Sequence, residues 1–125
     1  MNDKLDKMFD LRLSFMKTLK DCKPDAGSPD WPINLSDKES QQHVRDMALR
    51  GVEEMFEALQ HLKNWKPHRF TEVAEFDNDE FLEEVVDAFN YFLSVLILVG
   101  VSADDLFSSY KKKDAIIRDR ISSKY

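Results

Sequence analysis

Two pairs of acids, Glu54-Met55-Phe56-Glu57 and Glu84-Val85-Val86-Asp87, lie inside stretches that otherwise read as hydrophobic helix. Side chains three residues apart share one face of a helix. Carboxylates on a dry face must be desolvated, and buried Glu and Asp are almost never left without a partner. If the two helices pack antiparallel, all four carboxylates converge and repel one another unless cations bind among them. No Cys or suitably spaced His pair joins them. The donors are therefore hard oxygens, and the expected metal is Mg²⁺, with Mn²⁺ able to substitute, rather than Zn²⁺. Glu53 and Asn90 lie beside the two acidic faces and are further candidates to bind metal or position water. The competing interpretation is a pair of Glu-rich helices whose acids are simply solvated.

The elements that must hold these acids are helices. Only three glycines and four prolines interrupt 125 residues, and Ala, Leu, Lys, Glu, Asp and Phe are abundant. A first helix is expected from about Asp3 to Leu19, with Leu5, Met8, Phe9, Leu11, Phe15, Met16 and Leu19 as its apolar stripe. Residues 22–35 carry Pro24, Gly27, Pro29 and Pro32 and read as an ordered loop anchored by Trp31 and Ile33. Ser36-Asp37-Lys38-Glu39 has the form of a capping box, so a second helix should start there and reach about Lys63. Gly51 in its middle costs about 1 kcal/mol relative to Ala, which suggests a close neighbour on that side. A third helix, capped by Asp77 or Asn78 and stopped by Gly100, is apolar on nearly all sides and should be central. Ser102-Ala103-Asp104-Asp105 should open a fourth, ending in a basic stretch.

Composition narrows the function. A hydrophobic share of 42% in 125 residues suits a single domain, 1–125, with one core. A net charge of −6 argues against a nucleic-acid polymer as the main ligand, while leaving room for a local basic patch that takes a small anion. The lone Cys22 excludes an intramolecular disulfide, and the amino terminus lacks the pattern of a secretory signal, so a reducing, cytoplasmic setting is expected. The most apolar run, Tyr91 to Val101, falls well short of the ~20 residues a membrane span needs.

The order E-x-x-E, then E-x-x-D, resembles the metal motif of the all-α nucleoside triphosphate pyrophosphatases, the superfamily of the MazG-like proteins and the dimeric all-helical dUTPases. The dUTPase branch is the nearer one. Its amino-terminal motif is similar to Leu5-Asp6-Lys7-Met8-Phe9-Asp10-Leu11. Its Trp-Pro before the second helix matches Trp31-Pro32, its Trp-Lys after that helix matches Trp65-Lys66, and its turn into the last helix matches Gly100-Val101-Ser102-Ala103-Asp104-Asp105-Leu106-Phe107. The carboxy-terminal motif resembles Tyr110, Lys113, Asp114, Ile117, Arg120, Lys124 and Tyr125.

The resemblance implies a four- to five-helix bundle whose core is shared in a homodimer or higher assembly. It also implies hydrolysis of a (deoxy)nucleoside triphosphate to the monophosphate and pyrophosphate, in nucleotide-pool control. Two or three Mg²⁺ ions would sit on Glu54, Glu57, Glu84 and Asp87. Glu54 is the first candidate to take a proton from the attacking water, with Glu53 as the alternative. Lys113, Arg120 and Tyr125 match phosphate-contacting positions, and Asn90 is a further polar candidate there. Lys and Arg also favour a helix C-terminus for dipole reasons alone.

The chain departs from the dUTPase pattern where uracil is read. Arg12 and Met16 stand at the positions of a Gln and an Asn, and Ile117 replaces a second Asn. Sites that hydrogen-bond a base discriminate strongly, so the expected base is not uracil. Arg12 can address O6 and N7 of guanine, which makes dGTP a leading candidate and dUTP the next. Arg12 on the surface and Met16 in the core would be the plain alternative. Trp31 and Trp65 are candidates for the base or ribose pocket, or for the core; His43, His61 and His68 receive no role. The alternative function is a catalytically inactive helical module of the same fold that binds a nucleotide or a protein.

Overall fold

The computed structural model describes residues 3–24, 29–73 and 75–123, which fold as four α-helices with no strand among the described residues. They are α1 (Lys4–Cys22), α2 (Lys38–Leu59), α3 (Asn78–Leu98) and α4 (Ala103–Ser122). The expected all-α class is what the chain adopts. The chain divides into two compact units, one of residues 1–33 with 96–125 and one of residues 34–95.

In the first unit α1 packs against α4, and Phe9, Ile97, Leu98 and Ala103 are its buried residues. Asp3 caps α1, accepting the Asp6 N–H at 2.9 Å. Ser102 caps α4 as its sequence predicts: its hydroxyl accepts the Asp105 N–H and the Asp105 carboxylate accepts the Ser102 N–H, each at 3.1 Å. The backbone N–H of Ser102, then its side chain, holds the Asp105 carboxyl below its usual value. The turn between α3 and α4 closes with Val101 N–H on the Leu96 carbonyl and Gly100 N–H on that of Ile97, the Schellman arrangement. Gly100 has φ +79°, and a Cβ there would stand 3.1 Å from Pro32 Cβ. Close by, the Ile33 N–H donates to the Leu98 carbonyl at 2.7 Å, so the loop after α1 is fastened to the end of α3.

The second unit is the hairpin of α2 and the body of α3. Asp37 caps α2, not Ser36 as the motif suggested, because its carboxylate accepts both the N–H and the hydroxyl of Ser40. Ser36 instead gives its N–H and hydroxyl to Asn34 Oδ1, an Asx turn. The helix also ends four residues short of Lys63. The N–H groups of His61 and Leu62 fold back on the carbonyls of Ala58 and Leu59, and Asn64 takes a left-handed conformation (φ 62°). Asp77 caps α3, accepting the Glu80 N–H at 3.1 Å.

The close neighbour foreseen at Gly51 is α3. A Cβ on Gly51 would lie 2.9 Å from Phe92 Cε1 and 3.2 Å from Tyr91 Cβ. Ala58 and Ala88, both wholly buried, extend the same contact with small side chains. The expectation that α3 is surrounded is not met within the chain: Leu82, Val86 and Phe89 are about half exposed. On α2, Leu49, Val52, Phe56 and Leu59 form a second exposed stripe at spacings of three, four and three residues.

Replacing Gly100 by Ala places a Cβ in the left-handed region and against Pro32. It should lower stability by about 1–2 kcal/mol, read as a lower urea midpoint at unchanged slope.

Candidate metal centre

Because residue numbers run oppositely along the contact, Gly51 against Tyr91 and Phe92 and His61 against Glu84, α2 and α3 are antiparallel. That register brings Glu54 and Glu57 opposite Glu84 and Asp87. Glu54 and Glu84 are half-buried, whereas Glu57 and Asp87 are exposed, so the acids sit on the shoulder of the hairpin rather than in a dry core.

The electrostatics show the convergence. The Glu54 carboxyl is pushed above its ordinary value, first by loss of solvent, then by the charge of Glu57 and a hydrogen bond shared with it, and then by the charges of Asp87 and Glu84. All three other acids therefore act on Glu54. Loss of water and like charge both penalise a second negative charge, so Glu54 holds a proton more readily than a free carboxylate.

Glu84 has a different partner. His61 Nε2 lies 3.2 Å from Glu84 Oε2, close enough for an ion pair when the imidazole is protonated. The approach does not align as a hydrogen bond, and Oε2 is buried without any donor. A buried carboxylate oxygen without a donor is costly and is suited to a cation. Sequence reasoning assigned His61 nothing. The missed signal was its spacing of seven from Glu54 and four from Glu57, which keeps all three along one side of α2 and its terminal turn.

Oxygen donors, mutual repulsion and one buried oxygen without a donor are the chemistry that suits a hard divalent ion, for which Glu54, Glu57, Glu84 and Asp87 would be the ligands. Among the described residues, however, no three Asp, Glu, His or Cys side chains are gathered tightly enough to enclose an ion in their present rotamers.

The other candidates are distributed as follows. Glu53 is exposed on α2, and half-buried Asn90 lies one turn beyond Asp87 on α3. Trp65 is 68% exposed just after the Asn64 turn. Arg12, Met16, Trp31, Lys113 and Arg120 belong to the first unit. There the Arg12 guanidinium stacks 4.5 Å from the Phe15 ring centroid, and Met16 is half-buried on the same helix. Lys20 lies 5.2 Å from the Trp31 ring and pairs with Asp30, so Trp31 is fastened to α1. Lys113 and Arg120 are exposed on α4, with Arg118 between them bonded to Asp114 at 2.8 Å. Tyr125 lies outside the described residues.

A second feature adjoins the acids. The end of α2, the connection after it and the start of α3 enclose a cavity of about 510 Å³, with Leu62, Trp65, Val73 and Phe76 as apolar walls. His61, Lys63, Glu75, Asp77 and Glu80 add polar groups of both charges to its lining.

Because the folded pKa of Glu54 is raised, the folded chain binds more protons at this site than the unfolded one between the ordinary carboxylate value and the raised one. Stability contributed at this site is therefore greatest in acid and lost as the pH rises through the folded pKa. In EDTA, the melting temperature of the wild type relative to Glu54→Gln should fall as the pH rises from the ordinary carboxylate range through the raised pKa of Glu54, and millimolar Mg²⁺ or Mn²⁺ should recover it. A difference that does not change with pH would show that the four acids do not interact.

No single helix among the described residues is long and apolar enough to cross a membrane. No family model matches the chain, and no curated protein or solved structure is significantly similar to it.

Proposed function

We propose that the chain is a metal-dependent pyrophosphohydrolase that converts a (deoxy)nucleoside triphosphate to the monophosphate and pyrophosphate. The observation that carries this reading is the convergence of four carboxylates from two antiparallel helices, so that Glu54 feels the charge of the other three. Glu84 Oε2, buried without a donor, adds to it. Such an arrangement is poorly tolerated without cations, and triphosphates bring cations with them.

Bound Mg²⁺ supplies neutralisation of phosphate oxygens and a lowered pKa for a water molecule. Glu54 accepts the proton of the attacking water, a role favoured by a carboxyl whose proton affinity is already raised. Glu57, Glu84 and Asp87 would hold the ions together with Glu54, and His61 would steady Glu84. Asn90 orients water or phosphate from the next turn of α3. Lys113 and Arg120, with Tyr125, are assigned to the polyphosphate, and Arg12, Met16, Trp31 and Trp65 to the nucleoside by the motifs they occupy. The substrate is expected to be dGTP or another nucleotide without uracil, in a cytoplasmic pool.

The assembly proposed is a homodimer. The stripes Leu49, Val52, Phe56, Leu59 and Leu82, Val86, Phe89 are the kind of surface an antiparallel helical hairpin buries against a second one. A catalytically inactive module of the same fold is the second reading, favoured by the absence of a closed ligand group among the described residues.

Incubation with each ribo- and deoxyribonucleoside triphosphate and Mg²⁺ should release a monophosphate and pyrophosphate from at least one. Glu57→Ala and Asp87→Ala should each reduce turnover by about 100-fold or more with helicity unchanged by circular dichroism. Absence of product from every nucleotide, with no heat of Mn²⁺ binding, would establish the inactive module instead.

A further inference from the structure

His61 and Glu84 form an arrangement that an ion pair explains only in part. Nε2 of His61 lies 3.2 Å from Oε2 of Glu84, whose side chain keeps 31% of its surface exposed. That one oxygen is nevertheless buried and accepts no hydrogen bond. A protonated imidazole should aim its N–H at such an oxygen, because charge-assisted bonds are strong and an unsatisfied buried acceptor is costly. A neutral imidazole protonated at Nδ1 turns a lone pair toward the carboxylate instead. Two lone pairs that face one another need a cation between them.

The spacing suits a metal ion. Adjacent donors, each about 2.1 Å from an ion, stand about 3.0 Å apart in an octahedron and about 3.3 Å apart in a tetrahedron. The 3.2 Å between Nε2 and Oε2 falls between these values. Local structure fixes where the imidazole stands: the turn that ends α2 is closed by the His61 N–H on the Ala58 carbonyl at 3.1 Å. Further oxygen donors are one turn away, Glu57 four residues before His61 and Asp87 three residues after Glu84. Among the described residues no third Asp, Glu, His or Cys joins the pair in the present rotamers, so the remaining positions fall to water and to acids that rotate toward the ion. His61 also lines the cavity of about 510 Å³, where Glu75, Asp77 and Glu80 bring carboxylates and Lys63 an ammonium group. That space leaves room for the water molecules that a six-coordinate ion retains.

We propose that His61 is a metal ligand through Nε2, beside Glu84 Oε2, and that this nitrogen makes the acid cluster a site for a divalent transition ion such as Mn²⁺ in preference to Mg²⁺. This role rests on the reading of the four acids as a metal site, and it turns His61 from a neighbour that steadies Glu84 into a ligand. Imidazole nitrogen binds first-row transition ions well, whereas Mg²⁺ favours oxygen and gives up its water reluctantly.

The test is electron spin-echo envelope modulation on the full chain with Mn²⁺ and no nucleotide, together with calorimetric titrations of Mn²⁺ and Mg²⁺. Bound Mn²⁺ should show the modulation of a directly coordinated imidazole ¹⁴N, lost in His61→Ala and kept in His43→Ala and His68→Ala. His61→Ala should weaken Mn²⁺ by at least about tenfold and Mg²⁺ by less than about threefold. Mn²⁺ bound without nitrogen modulation in the wild type, or an equal loss of both ions in His61→Ala, would overturn the role of His61 and leave an oxygen-only metal site standing. No binding of Mn²⁺ would overturn both that role and the metal reading of the acids. Nitrogen-coordinated Mn²⁺ without hydrolysis of any nucleotide would support the role of His61 and overturn the pyrophosphohydrolase reading alone.

Discussion

The close approach of α2 and α3 at Gly51 is the contact from which the candidate site follows. With hydrogen in place of a side chain, α2 comes near enough for Tyr91 Cβ and the Phe92 ring to fill the space a Cβ would take. Ala58 and Ala88 maintain that closeness further along the pair. Helix axes separated by small residues carry their flanking side chains close together as well, and here those flanking residues are acids. A larger residue at position 51 would meet both Tyr91 and Phe92 of α3, and overpacked contacts of this kind typically cost about 1–3 kcal/mol.

That closeness creates an electrostatic problem that the hairpin does not solve by itself. Glu54 responds by holding its proton more tightly, and Glu84 by turning one oxygen toward His61 without completing a hydrogen bond. A structural hairpin would place Lys or Arg among these acids, as surface helices commonly do at three- and four-residue spacings. The four positions instead carry acids, with Arg50 one turn before Glu54 in sequence and the His61 imidazole 3.2 Å from Glu84 Oε2. The unresolved charge is the physical reason to associate this face with a cationic ligand.

The apolar surface carries a parallel tension. Val52 and Phe56 flank the acids on α2, Val86 and Phe89 flank them on α3, and all four stay substantially exposed. Hydrophobic stripes at heptad spacing seek a second helical surface. Covering them would also remove water from around the carboxylates beside them, raising the cost of their charge and the advantage of a bound cation.

Much of this was legible in the residues. Four helices, the caps at Ser102 and Asp77, the stop at Gly100 and the close contact at Gly51 follow from local rules, because capping, left-handed turns and helical periodicity act over a few residues. The cap of α2 was misplaced by one residue, since Ser36 and Asp37 both suit the role and only the turn at Asn34 settles which is free to take it. The spacing of the acids specified which ones share a helix face. Tertiary structure decided the rest: that the acids lie on a half-exposed shoulder, that His61 meets Glu84, and that Trp65 and Phe76 wall a cavity with Glu75 and Glu80. These depend on the register between helices and on the path of an irregular connection. Both are fixed by long-range packing, which no short run of sequence encodes.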